Sequence, residues 1–213
     1  MRLCVFDLDH TLVQSSLDLA AMAVDMRARF ETDCGPLPAR ADRYRVGELI
    51  AICGREAPAL LDTLWAIALD HEERALGDAS LEPGARAAVS GARAAGFATA
   101  LWTNNARSVT TEVLSRFGLL DQFDLLVTRN DMAALKPDPD GWRVIAERFG
   151  ACSAVVVGDS WVDGLAAAAV GIPFVAYRPK VEELARWQVK PETTLHDLAA
   201  LPAWLVTYFD GSA

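Results

Sequence analysis

A surplus of positive charge is what this chain most plainly lacks. Its 20 Lys and Arg face 29 Asp and Glu, a formal net charge of -9. A surface of that sign cannot neutralise a run of phosphates, which excludes nucleic acid as an expected partner. A small phosphorylated molecule is not excluded, because one divalent cation and a few basic side chains reverse the field inside a cleft. Cysteine is sparse too. Cys4, Cys34, Cys53 and Cys152 show neither a CxxC pair nor zinc-ligand spacing, so reduced, structural thiols are expected. No run of about 20 apolar residues is present to span a membrane. The chain reaches an acidic motif within seven residues, which argues against a secretory leader. The expected location is cytoplasmic, without a membrane partner.

What is present fits a globular enzyme-sized chain. The 213 residues, 23% of them charged, suit one α/β domain with a modest insertion. Residues 2–7 read as a short strand, apolar on both faces as a central parallel strand is. From Ser16 to about Phe30, Leu17, Ala20, Ala21, Val24 and Ala28 recur at helical spacing, with Ser15 or Ser16 as N-cap. A second helix is expected from about Tyr44 to Cys53, ended by Gly54, and a third from near Glu56-Ala57-Pro58 towards His71 and Glu73. Nothing in 15–81 reads as a strand, so this span is an expected all-helical insertion. Beyond Leu81, helix and strand alternate. Strands are expected at 97–102, 125–127, 154–157 and 174–177, and helices at 83–96, 107–117, 138–149, 161–170 and 198–205. Repeated β-α-β units with short loops imply an α/β fold with a doubly wound parallel sheet. Its core would comprise 1–14 and 82–213.

Asp7, Thr103 and Asp159 each follow an apolar strand at its carboxyl end, the edge where open parallel sheets bind ligands. Phosphate esters resist attack because their oxygens are negative, so catalysis is positioning plus charge neutralisation. Asp7 can attack phosphorus, and Asp9 can protonate the leaving oxygen and later deprotonate water. Mg2+ takes few carboxylates in octahedral oxygen ligation; Asp7 and Asp159 are candidates, with the Asp9 carbonyl, and Asp163 in support. Thr103 can donate its hydroxyl to a phosphoryl oxygen, and the Asn104 amide stands at a helix start suited to anions. Lys136, before Pro137, can neutralise growing charge and pair with the Asp7 carboxylate. Taken singly, a DxD pair is a solvated turn, KP a loop and Gly-Asp-Ser a cap; their joint order at strand ends carries the functional reading.

The set Asp7-Leu8-Asp9-His10-Thr11, Thr103-Asn104, Lys136-Pro137 and Gly158-Asp159-Ser160 with Asp163 resembles the four motifs of the haloacid dehalogenase-like hydrolase superfamily. They stand in family order and span the whole core. The insertion is similar to the small cap of the phosphoglycolate phosphatase and β-phosphoglucomutase branch. What the resemblance implies is a Mg2+-dependent phosphatase with a Rossmann-like core and a mobile cap. Asp7 would be the nucleophile, Asp9 the acid/base, Thr103 and Lys136 phosphate ligands, and Asp159 a metal ligand. His10 departs from the pattern, since Gly is frequent there; a phosphoserine-phosphatase-like branch can carry a similar opening. The Lys136-Pro137-Asp138-Pro139 stretch and the cap position favour the first branch, and His10 is assigned a structural role.

Substrate choice is expected in the cap. Gly54-Arg55-Glu56, at an expected break between helices, resembles the cap loop of related enzymes. Arg55 could grip a substrate carboxylate or hydroxyl, and is equally readable as a surface arginine; Arg43 and Arg45 are weaker candidates. His71 and His196 have no identifiable partner, and Trp161 is the one tryptophan expected near the cleft. The leading function is hydrolysis of a small phosphate monoester, with phosphoglycolate a candidate. The rival is a β-phosphoglucomutase-like phosphotransfer enzyme, and further behind stands a non-catalytic phosphate- or partner-binding module. Asp9 disfavours a dehalogenase, whose chemistry does without that second carboxylate.

Overall fold

The computed structural model of the chain describes residues 1–211. In chain order, β1 (Arg2–Phe6) and β2 (Val13–Gln14) precede α1 (Leu19–Cys34), α2 (Val46–Glu56) and α3 (Leu61–Ala75). Then come β3 (Ser80–Leu81), α4 (Ala85–Ala94), β4 (Phe97–Trp102), α5 (Arg107–Arg116) and β5 (Leu125–Val127). The chain continues through α6 (Asp140–Phe149), β6 (Ser153–Gly158), α7 (Trp161–Ala169), β7 (Phe174–Tyr177), α8 (Val181–Arg186), β8 (Thr193–Leu195) and α9 (Leu201–Asp210). Two compact units result: Met1–Ser15 with the chain from Ala79 onward, and Ser16–Asp78.

In the first unit, six strands form one sheet in the order β5-β4-β1-β6-β7-β8, each neighbouring pair parallel. This is the Rossmann-like α/β architecture that alternating elements imply. Leu3, Cys4, Val5 and Phe6 are fully buried because β1 has strands on both sides and helices over both faces. Phe6 pairs with Leu101 of β4 and Val157 of β6, so the three strands finish nearly level. After β5 the chain crosses β1 to begin β6, which makes the β1 edge the switch point where such sheets open a crevice. Leu3, Val5, Trp102, Val127, Ile145 and Phe174 belong to the core beneath it.

The second unit packs Met22, Met26, Phe30, Leu49, Cys53 and Leu64 into a core of its own. Its helices lie where expected, with three corrections. Asp18, rather than Ser15 or Ser16, caps α1, its carboxylate accepting from the Ala20 and Ala21 amides at 2.8 and 3.0 Å. α2 passes through Gly54 and stops at Ala57, which Pro58 forces out of helical geometry at φ -147° and ψ 60°. Arg55 therefore stands exposed in the last turn of α2, not in a loop. Lastly, Ser80 and Leu81 pair antiparallel with Gln14 and Val13, so the tail of the expected helical span 15–81 is a strand of the first unit. Two-residue strands carry no alternation to read. α8 and β8, six and three residues long, were not legible for the same reason. Among the described residues no helix is long and apolar enough to cross a membrane.

Candidate active site

Lys136 is the centre of the carboxyl-end crevice. Its ammonium donates to Asp7 Oδ1 at 2.7 Å, Asp163 Oδ1 at 2.6 Å and the Trp102 carbonyl at 2.7 Å. All three N–H donors are thereby used, which is how a lysine only 5% exposed keeps its charge. Burial alone would lower its pKa, but Asp163 and Asp7 outweigh that and hold it above the ordinary value. Asn104 fixes the segment that carries this lysine. Its Oδ1 accepts from the Lys136 N–H at 2.9 Å and its Nδ2 donates to the Lys136 carbonyl at 3.1 Å. The Asn104 side chain thus braces a neighbouring loop, a task its expected role as a phosphate-binding amide did not include.

Asp7 continues the β1 ladder, its N–H bonding the Val157 carbonyl at 2.9 Å. With Oδ1 on Lys136, its Oδ2 accepts from the Thr11 hydroxyl at 3.2 Å. Asp163 is held as tightly: beyond Lys136, its Oδ2 accepts from the Ser160 hydroxyl at 2.6 Å and the Ser160 N–H at 3.2 Å. Gly158 is required for this approach, since a Cβ there would lie 2.6 Å from Asp163 Cγ. Asp9, half-buried, presents Oδ2 to Asn105 Nδ2 at 2.6 Å. Thr103 is buried, bonds the Val127 carbonyl through its N–H, and accepts the Asn105 N–H on its hydroxyl at 3.2 Å.

One carboxylate oxygen from each of Asp7, Asp159 and Asp163 lies within 4.8 Å of the others. Burial pushes the Asp7 carboxyl up to about 7, with Asp163 and Asp9 pushing the same way and Lys136 opposing. Burial likewise raises Asp9, which His10 and Asn105 partly offset. Asp159 is raised by burial and by Asp163, Asp7 and Asp9. Four acids and one lysine leave the crevice short of positive charge, and its donors are hard oxygens. That set fits a divalent cation of the Mg2+ kind. Asp163 accepts three hydrogen bonds against two for Asp7 and is the more deeply buried, which suits support; Asp7 and Asp159 are the better placed ligands. The Asp9 carboxylate, turned to Asn105, is not part of the cluster, and its expected contribution was the backbone carbonyl.

The crevice thus brings together Asp7, Asp9, Thr103, Lys136, Asp159 and Asp163, with Asn104 behind. Arg55 belongs to the other unit. Asn105 was missed: Thr103-Asn104-Asn105 signals a polar strand end, but not which Asn faces Asp9. His71 does have a partner, Asp25 Oδ2 at 2.7 Å. Trp161 stacks on Trp187 at 4.1 Å between ring centres, a packing role.

Comparison with known proteins identifies the family of the chain and its fold. The family model for haloacid dehalogenase-like hydrolase matches residues 1–171. A phosphoglycolate phosphatase of Cereibacter sphaeroides is 32% identical over 190 residues, covering 81% of this chain and 83% of that protein. Among solved structures, a hydrolase from Pseudomonas syringae superposes with a TM-score of 0.69 at 22% identity over 100% of both chains. A Thermotoga maritima protein described as a candidate β-phosphoglucomutase gives 0.63 at 19% identity, over 96% of this chain and 98% of that one. These two likenesses speak to fold alone.

Proposed function

We propose that this chain, which belongs to the haloacid dehalogenase-like hydrolase family, is a Mg2+-dependent phosphatase of small phosphate monoesters, with phosphoglycolate as the leading substrate. The observation that carries the reading is the different treatment of two acids at one strand end. Asp7 is pinned by Lys136 and Thr11, leaving it fixed for attack. Asp9 is held separately by Asn105. In the first step an Asp7 oxygen bonds to phosphorus as the ester P–O bond breaks, and Asp9 gives its proton to the departing alcohol. In the second, Asp9 takes a proton from water as the water oxygen bonds to phosphorus and the aspartyl-phosphate bond breaks. Thr103 holds a phosphoryl oxygen through its hydroxyl, and the Lys136 ammonium, bound to Asp7, neutralises developing charge by its proximity. Asp7 and Asp159, with the Asp9 carbonyl, would hold Mg2+ with Asp163 behind them. Bound there, the cation supplies charge neutralisation at the phosphate.

Phosphoglycolate is favoured by the 32% identical relative, a phosphoglycolate phosphatase, and Arg55 offers a fork for a substrate carboxylate. We assign selectivity to the helical unit and the chemistry to the sheet edge. The test is phosphate release from an aryl phosphate and from a panel holding phosphoglycolate, sugar phosphates, nucleotides and phosphoserine. Turnover that needs Mg2+ and disappears in Asp7→Asn is expected. Undiminished activity in that variant, or in excess chelator, overturns the mechanism. Interconversion of sugar phosphates with little free phosphate released would favour the mutase.

A further inference from the structure

We propose that Asn105 is a positioning residue of this reaction, its carboxamide fixing the Asp9 carboxyl for both proton transfers. The inference rests on the phosphatase reading above. Register places the two residues together: β1 and β4 are neighbours with Phe6 opposite Leu101, and Asp9 and Asn105 lie three and four residues beyond that pair. The carboxamide reaches Asp9 Oδ2 at 2.6 Å, close for an N–H···O bond and in keeping with a charged acceptor.

Asn105 is itself held still. It is buried, its N–H donates to Thr103 Oγ1 at 3.2 Å, and its carbonyl accepts from the Arg129 N–H at 3.1 Å. A side chain on a backbone anchored at both its polar groups presents its amide at one place. The same backbone N–H occupies the Thr103 oxygen as acceptor, which leaves the hydroxyl proton free to donate to a phosphoryl oxygen. Asn105 therefore links the phosphate-binding hydroxyl to the proton-transfer acid. Its two links separate by chemistry: the bond to Thr103 is backbone and survives any side-chain change, whereas the bond to Asp9 is side chain and does not.

Acid/base placement matters through both steps. A free Asp9 carboxyl rotates about two side-chain torsions, and misplacement of about 1 Å costs on the order of 100-fold in rate. A loosened Asp9 still leaves Asp7, Lys136 and Thr103 in place, so phosphate binding stays as it was. Esters that depart easily need little help in the first step, yet hydrolysis of the aspartyl-phosphate still needs the base.

The experiment compares the full-length wild type with Asn105→Asp, which keeps the shape and removes the donor, and with Asn105→Ala. In Mg2+, kcat on phosphoglycolate is expected to fall about 100-fold in both variants. KM and competitive inhibition by inorganic phosphate are expected to change by less than about 3-fold. On p-nitrophenyl phosphate the variants are expected to release a rapid burst of nitrophenol, followed by slow turnover, as phosphoenzyme builds up. Wild-type-like kcat in Asn105→Asp overturns the inference. So does a loss of phosphate inhibition that parallels the loss of kcat, which marks a structural role. If the wild type hydrolyses no ester, both readings fall; if it does and Asp7→Asn does not, the phosphatase reading stands and the Asn105 variants decide alone.

Discussion

A left-handed backbone explains the residue that fits least well in the first motif. His10 lies at φ 56° and is exposed, its N–H closing a tight turn onto the Val13 carbonyl at 2.7 Å. The Thr11, Leu12 and Val13 amides all converge on the Leu8 carbonyl, so the turn cannot relax to an ordinary angle without losing several bonds. An L side chain pays roughly 1–2 kcal/mol there, and a β-branched one more. Glycine avoids that cost but adds about 0.5–1 kcal/mol of unfolded-state entropy. The expected outcome is that His10→Gly is neutral or more stable by up to about 1 kcal/mol, while His10→Val loses about 1–2 kcal/mol. Denaturant midpoints measure both, and the reverse order would refute the account. At this scale Asp7 and Asp159 were legible because each follows a strand end in the sequence, and Lys136 because it precedes Pro137 in the order the other motifs set. The work of Asn104 and Asn105 was not, because two adjacent identical side chains differ only in the direction the backbone gives them.

Among elements, α6 bears on the site through Trp102. It docks through Gly141, where a Cβ would collide with Trp102 Nε1 and lie 2.6 Å from Met132 Sδ. Trp102 is 1% exposed and its indole N–H already donates to that sulfur at 3.1 Å, so the indole has no room to withdraw. Ala in place of Gly gains about 1 kcal/mol of helix propensity, but overpacking costs about 1–3 kcal/mol. The clash wins because Trp102 is enclosed. Gly141→Ala is expected to be net destabilised on chemical denaturation. It should also lower kcat, since the Trp102 carbonyl is one of the three acceptors of Lys136. A more stable variant would mean that α6 can shift outward. The four strands from β4 to β7 and the helices of nine residues or more were readable from their pattern, together with the parallel sense of the sheet, while six-residue α8 was not. The end of α2 was misread because a glycine is only a tolerated stop, whereas Pro58 constrains the residue before it. Short β2, β3 and β8 depend on what lies beside them, which no local window contains.

For the whole molecule, the excess of acid also gathers in the crevice and sets how stability depends on pH. The raised Asp7 carboxyl binds a proton in the folded chain over a range where the unfolded chain has lost it. Folding then weakens as pH rises from the unfolded value of 3.8 towards about 7. Asp9 and Asp159, also raised, carry the same sign. Asp124, Asp131 and Asp140 are lowered and act oppositely, their stabilisation present above the unfolded value of 3.8 and lost as pH falls below it. A scan between pH 5 and 8 lies above the range in which those lowered acids titrate and within that of Asp7. In excess chelator the melting temperature is expected to fall across that range. Because ligands must be deprotonated, added Mg2+ should raise it more at pH 8 than at pH 5. At 100 times its dissociation constant a single ion adds about 2.7 kcal/mol, enough to flatten much of the slope. Asp7→Asn removes one titrating acid and should shrink both the slope in chelator and the Mg2+ response. A melting temperature that is flat or rising with pH in chelator would show that the crevice acids are not charged at the expense of folding, and the case for a cation site would lose its electrostatic basis.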